Sequence, residues 1–396
     1  MLTFEMILEA REALAGVARV TPLHPVPKFG KDVYIKAENL QLTGAFKLRG
    51  AYNKIRSLSP EEAARGVIAC SAGNHAQGIA LSAAKLGIRS VICMPAGAPI
   101  SKVEATKGYG AEVVLVPGVY DDAAREAERL CHAEGYTFAH PFNDPLVIAG
   151  QGTIGLEILE QLPEVEQVVV PIGGGGLIGG IALAVKEKKP SCRVIGVQAE
   201  GAASMYRSLQ MGRPKTLTSV RTIADGIAVK RPGDRTFALC REFVDEVVTV
   251  SEDEIASAIL ALMEEQKTVA EGAGAASVAA CMFGRTPVDG RKTVCVVSGG
   301  NVDVTTLSRV ITKGLSKAGR LVELTTKVTD KPGSLWHMLQ VVADSGANII
   351  SINHNREDKE TEVSACVVTM VLETRDQNHV DSLRRELSAR GYLTRN

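Results

Sequence analysis

Residues 67–95 read VIACSAGNHAQGIALSAAKLGIRSVICMP, and their rhythm decides the fold class. An apolar strand (VIAC, 67–70) gives way to a small polar turn, then to the helical stretch HAQGIALSAAKLG (75–87). SVICMP (90–95) follows as a second apolar strand. Short apolar strands separated by a helix of this length imply a parallel βαβ unit. Outward from it the pattern continues: a short helix at 60–65 before it, then a helix at 101–110, the strand EVVLVP (112–117) and the helix DDAAREAERLCHAEG (121–135), whose acidic first turn suits the helix dipole. Upstream, residues 6–18 read as a helix ended by Thr21-Pro22, and VYIKAE (33–38) as a strand.

The rhythm pauses at HPFNDP (140–145) and then resumes. A helix at 146–161, the buried strand QVVVPIG (167–173), a helix at 177–188, RVIGVQ (193–198), EVVTV (246–250), helices at 252–265 and 273–283, and TVCVVSGG (293–300) make a second α/β sheet. The expectation is an α/β fold of two lobes, the smaller at about 45–143 and inserted in the larger. A ligand would sit in the crevice at the carboxyl ends of the strands. Beyond Arg320 the pattern changes. VELTTKV (322–328), DKPGSLWHMLQVVADSGA (330–347), NIISINHN (348–355), EVSACVVTMVL (362–372), QNHVDSLRRELSARG (377–391) and a closing strand read as a small α+β domain of βαββαβ order. GLSKAGR (314–320) is the expected linker, dividing the chain into 1–319 and 320–396.

Composition excludes several function classes. The 396 residues are 45% apolar and 23% charged, with 45 basic and 45 acidic side chains, so no net charge draws the chain to nucleic acid or an anionic membrane. Aromatics at 4% disfavour a base-stacking surface. The eight cysteines form no CxxC pair and sit largely in apolar runs, which suits a reducing compartment. MLTFEMILEAREAL reads as an acidic amphipathic helix rather than a signal peptide, and no uncharged apolar run approaches the roughly 20 residues of a membrane span. The expected location is the cytoplasm.

Two features carry chemistry. Gly173–Gly176 lies between a strand and a helix, where backbone N–H groups and the helix dipole favour an anion such as phosphate. Gly174, Gly176 and Gly179 also satisfy GxGxxG, with Glu200 near the place of a ribose-binding acid, so an NAD-dependent oxidoreductase is a competing reading. The second feature is Lys47 in KAENLQLTGAFKLRGA (36–51), where small residues leave its amine room for a bulky partner. Such a lysine can form a Schiff base with a cofactor aldehyde and act as a base once displaced.

KAENLQLTGAFKLRGA, SAGNHAQG (71–78), GGGGL (173–177), TIADGIAV (222–229) and SGGN (298–301), in this order, resemble the fold-type II pyridoxal-phosphate enzymes, the threonine ammonia-lyases (threonine or serine dehydratases) above all. The resemblance spans about residues 5–315 and implies a tryptophan-synthase-β-like fold. It implies that Lys47 carries pyridoxal 5'-phosphate and that Phe46 lines its ring. Asn74 would bond the phenolic oxygen, the N–H groups of Gly173, Gly174, Gly175, Gly176 and Leu177 would hold the phosphate, and Ser298 would contact the ring nitrogen. Ser71, Ala72, Gly73, Asn74 and His75 would bind the substrate carboxylate. Glu271 would lie near the ring, without an assigned role.

Racemases of this fold place a second serine where this chain has Ala72, so elimination from threonine or serine is expected over serine racemisation. Hydroxyaspartate ammonia-lyase is a further alternative within the fold, and an amino-acid sensor without chemistry is the non-catalytic one. Relatives with a divalent cation use an acidic cluster after the VQ strand. Here Glu200 is followed by GAASMY, so no metal site is assigned. DKPGSL (330–335) and the order around it resemble the ACT family of regulatory domains, implying an amino-acid effector such as isoleucine or valine. Family resemblance implies a homodimer or homotetramer.

Overall fold

A computed structural model describes residues 2–288, 290–357 and 361–395. The chain divides into two compact units, Met1–Val304 and Thr305–Asn396. The first carries two sheets. Strands β1 (Leu23–Pro25), β2 (Val33–Lys36), β3 (Val67–Cys70), β4 (Ser90–Pro95), β5 (Glu112–Val116), β6 (Thr137–Phe138), β7 (Gln167–Pro171), β8 (Arg193–Ala199), β9 (Glu246–Val250) and β10 (Thr293–Val296) follow in chain order. β5-β4-β3-β6 form the smaller sheet and β1-β2-β10-β7-β8-β9 the larger. All pairings are parallel except that of β1 with β2.

The larger sheet is buried on both faces, as parallel sheets between helices are. Val168, Val170, Val194, Val294 and Val296 pack with Ile154, Ile178 and Ile181 of flanking helices. Each such side chain contributes roughly 1.5–3 kcal/mol of hydrophobic burial. The smaller lobe has its own core of Val67, Ala69, Ile79, Ile92 and Met94.

Glycines set the distance between two central helices. A Cβ on Gly50 would lie 2.5 Å from the Val147 carbonyl, and one on Gly150 only 2.6 Å from Gly50 Cα. Helix Lys47–Ile55 therefore crosses helix Pro145–Gln161 backbone to backbone. The latter helix starts cleanly, with Asp144 Oδ1 accepting from the N–H groups of Leu146 (2.8 Å) and Val147 (3.3 Å).

Beside this crossing lies a buried ion cluster. Arg49 donates to Glu38 Oε1 and Oε2 at 2.8 and 2.9 Å and to Glu157 Oε2 at 3.0 Å. Lys36 Nζ donates to Glu157 Oε2 (2.6 Å), Gln161 Oε1 (2.8 Å) and the Thr21 carbonyl (2.7 Å). Two cations balance two carboxylates with their hydrogen bonds largely met, the condition under which buried charge is tolerated. This explains where the strand expected at 33–38 stops. It ends at Lys36, and Glu38 begins a 3₁₀ turn that faces Arg49.

Helices Lys47–Ile55, Ser204–Met211 and Asp234–Phe243 and strands β1 and β6 were not expected from the sequence. The linker expected at 314–320 begins inside helix Val304–Lys317, whose Val310 and Gly314 are buried.

The second unit holds an antiparallel sheet ordered β12-β13-β11-β14, from β11 (Leu321–Thr329), β12 (Asn348–Asn355), β13 (Ala365–Glu373) and β14 (Thr394–Arg395). Helices Ser334–Ser345 and Gln377–Ala389 complete a strand–helix–strand–strand–helix–strand order. Alternate residues of β13 (Cys366, Val368, Met370, Leu372) face a core with Leu324, Met338 and Leu383, the period-two burial of a sheet covered on one side. No described helix is long and apolar enough to cross a membrane.

Candidate active site

A cavity of about 590 Å³ opens between the two sheets of the first unit. Its lining brings together Phe46, Lys47, Ser71, Ala72, Gly73, Asn74, His75, Gly173, Gly174, Gly175, Gly176, Leu177 and Ser298, the residues singled out in the sequence. The volume lies in the usual range for small-molecule sites.

Lys47 is the first residue of its helix, and its amine donates to the Pro141 carbonyl at 2.8 Å. Burial lowers its pKa to about 8, partly opposed by the Glu271 carboxylate. Its backbone is held from several sides. Gly78 of helix Asn74–Leu86 packs so closely that a Cβ would lie 3.1 Å from the Lys47 carbonyl carbon. The SGGN loop zips to the preceding loop, with Phe46 N–H donating to the Ser298 carbonyl (3.1 Å) and Gly300 N–H to the Gly44 carbonyl (2.8 Å). Those bonds place buried Ser298 beside the lysine although 251 positions separate them (298 less 47).

The glycine loop joins β7 to helix Gly176–Lys188. Gly175 holds φ at +95°, a conformation side chains strain against, and the Gly174 carbonyl accepts from Thr236 Oγ1 at 2.5 Å. A Cβ on Gly174 would come within 2.3 Å of the Phe142 ring. The loop therefore sits flat on HPFNDP while its helix N-terminus, with N–H groups that lack intrahelical partners, borders the cavity.

Asn74 opens its helix and is held at both ends of its amide. Its Nδ2 donates to Glu271 Oε1 (2.6 Å) and its Oδ1 accepts from Asn301 Nδ2 (2.8 Å), which also donates to the Thr43 carbonyl (2.7 Å). Glu271 is buried, and desolvation followed by Asp225 raises its carboxyl to about 7, against the pull of Lys102, Asn74 and Lys47. His75 is a buried neutral residue. Desolvation and the nearby lysine lower its pKa to about 3, and its Nε2 meets the Ala139 carbonyl at 2.9 Å.

Sequence reasoning missed Asn301, His140 and two ion pairs at the cavity. His140 Nδ1 accepts from the N–H groups of Phe142 (3.2 Å) and Asn143 (2.9 Å), fixing the turn that presents Pro141 to Lys47. Lys102–Asp225 (2.5 Å) and Lys230–Asp121 (3.2 Å) tie the smaller lobe to the larger beside the cavity. The interrupting motif HPFNDP was the only signal for His140, and nothing in the spacing pointed to the ion pairs.

A lysine amine of reduced basicity, a glycine loop opening a helix and an uncharged serine line one cavity, a lining suited to an enzyme with a phosphorylated carbonyl cofactor. The family described as pyridoxal-phosphate dependent enzymes matches residues 14–300, and the chain belongs to it. It is 51% identical to an L-threonine ammonia-lyase of Thermotoga maritima, over 100% of this chain and 99% of that one. Among solved structures it is similar to the processed threonine deaminase isoform 2 of Solanum lycopersicum, with TM-score 0.75, 39% identity, and 78% and 87% of the two chains covered. A maize serine racemase gives TM-score 0.75 at 37% identity, covering 80% and 98%. The dinucleotide alternative is set aside by this membership, and Glu200, its expected ribose acid, is exposed at the start of a 3₁₀ turn.

Proposed function

We propose that the chain is an L-threonine ammonia-lyase, converting L-threonine to 2-oxobutanoate and ammonia and L-serine to pyruvate and ammonia. The observation that carries elimination over racemisation is the cavity loop Ser71-Ala72-Gly73, where a methyl group stands in place of a second acid–base side chain.

The donor set fits pyridoxal phosphate. Gly173–Leu177 would hold the phosphate by backbone N–H groups at a helix N-terminus. Lys47 would bind the aldehyde, Phe46 would flank the ring, and Asn74, clamped by Glu271 and Asn301, would face the phenolic oxygen. Ser298 would meet the ring nitrogen with a hydroxyl, which does not hold that nitrogen firmly protonated. When bound, the cofactor supplies a carbonyl for the substrate amine and a conjugated system that spreads the charge left at Cα.

The protein's own part is positioning and proton transfer. N–H groups of Ser71–His75 would orient the substrate carboxylate at the start of helix Asn74–Leu86. The Lys47 amine, its basicity lowered by burial, would accept the α-proton once displaced, a contribution of typically ~10²–10⁴-fold. The two cross-lobe ion pairs, Lys102–Asp225 and Lys230–Asp121, hold the lobes together beside the cavity.

The second unit acts as an amino-acid-responsive regulatory domain in this reading. Its βαββαβ order and the turn Asp330–Gly333 before helix Ser334–Ser345 support that role. Release of 2-oxo acid from L-threonine, L-serine and hydroxyaspartate tests the activity. Lys47→Ala should abolish it with the circular dichroism spectrum unchanged. Turnover in that variant, or inversion at Cα without 2-oxo acid, would overturn the proposal.

A further inference from the structure

In the second unit three chemically different donors meet at one end of the sheet. Cys366 lies on β13 opposite Val328 of β11, His354 lies near the end of the neighbouring strand β12, and Asp330 directly follows β11. One donor atom from each, a thiol sulfur, an imidazole nitrogen and a carboxylate oxygen, falls within 4.8 Å of the others. His354 Nε2 is 2.9 Å from Cys366 Sγ, and Sγ is 3.3 Å from the Val328 carbonyl. Cys366 is buried at the inner side while His354 is exposed, so the cluster has a closed floor and an open mouth.

From these contacts we infer that Asp330, His354 and Cys366 form a binding site for a divalent transition-metal ion, Zn²⁺ fitting best, with the fourth position open to water. Tetrahedral zinc takes sulfur at about 2.3 Å and nitrogen or oxygen at about 2.0–2.2 Å, which puts ligand atoms roughly 3.3–3.8 Å apart. With donor atoms between 2.9 Å and at most 4.8 Å apart, the cluster needs shifts of no more than about 1.5 Å to meet that spacing. One thiolate, one imidazole and a single carboxylate are the wrong set for Mg²⁺ or Ca²⁺, which require oxygen ligands.

Among the described residues, Arg356 opposes the ion. Arg356 holds Asp330 Oδ1 by its Nη2 at 3.0 Å and its Nε at 3.2 Å. Its side chain is two-thirds exposed, so it can turn to solvent and release the carboxylate. The Cys366 sulfur binds an ion as thiolate, so the ion must displace the thiol proton on binding. An occupied site would tie β11, β12 and β13 together beside the turn Asp330–Gly333. Two ligands lie on separate strands and the third just past another, and no local motif announces them in the sequence.

The test uses the untagged full-length protein stripped with a chelator and titrated with Co²⁺. The expected result is a thiolate-to-cobalt charge-transfer band in the near ultraviolet that saturates at one ion per chain and is erased by Zn²⁺. Binding should release about one proton per ion near neutral pH. Cys366→Ser should lose the band. His354→Ala and Asp330→Asn should weaken binding by more than about tenfold, and Arg356→Gln should tighten it. Circular dichroism checks each fold, and His354→Ala, at an exposed position, serves if Cys366→Ser does not fold. Absence of the band in the unaltered protein, its persistence in Cys366→Ser, or unchanged affinity in His354→Ala would overturn the site.

Discussion

The basicity of Lys47 can be measured directly in the cofactor-free protein. Burial brings its amine to about 8 from an ordinary 10.5. At pH 7 about one molecule in ten then carries the neutral amine, against roughly one in three thousand for an unperturbed lysine, a gain of about 300-fold. Trace acetylation over a pH series, read by mass spectrometry of the Lys47 peptide against an added amine standard, reports the neutral fraction. Labelling should rise with pH and level off with a midpoint near 8. Glu271→Gln removes the carboxylate that favours the ammonium form, so the midpoint should move lower still. A midpoint above about 10, or an upward shift in Glu271→Gln, would refute the claim that desolvation tunes this amine.

Other consequences follow from single contacts. Gly174→Ala would drive a methyl group into the Phe142 ring, so cofactor affinity should fall by more than about tenfold in a fluorescence titration while the overall fold persists. Arg49→Met would leave Glu38 without its cation in a buried site and should cost about 3–5 kcal/mol by urea denaturation. The Glu271 carboxyl is raised from 4.5 to about 7, so its charged form is penalised in the fold. That penalty sets in as pH rises through 4.5 and is complete above 7. Glu271→Gln should therefore gain stability relative to the unaltered protein between pH 5 and pH 8, by up to roughly 3 kcal/mol, and a pH-independent difference in Tm would contradict it.

The loops of the site were legible because each interrupts an apolar strand–helix rhythm with small or polar residues. SAGN after VIAC and GGGG after QVVVP are breaks that a core does not need. Helix Lys47–Ile55 was not legible for the opposite reason. It buries Arg49 and Asn53, which pattern reading places outward, and their partners lie on helix Pro145–Gln161 and, for Arg49, also at Glu38. The Glu271–Asn74–Asn301 chain was hidden likewise, since it joins residues 197 and 227 positions apart through side-chain geometry alone. In the second unit, alternation on β13 exposed the core face, but helix Val304–Lys317 was obscured by the glycine and serine that made 314–320 look like a linker.

The larger sheet pairs Val33 with Thr293, whereas the smaller draws all its strands from residues 67–138. At about 5–20 residues per second, the ribosome takes roughly 13–50 s to deliver β10 after β2. During that interval β2, with its embedded Lys36, lacks the parallel neighbour that completes the sheet, while the smaller lobe already has its full complement of strands. Ser298 emerges last of the cavity wall, followed by Asn301, which holds Asn74, so a nascent chain has no closed cofactor pocket until they appear. A fragment ending before residue 298 should hold a folded smaller lobe and capture no cofactor, which makes cofactor capture a readout of completed synthesis of the first unit.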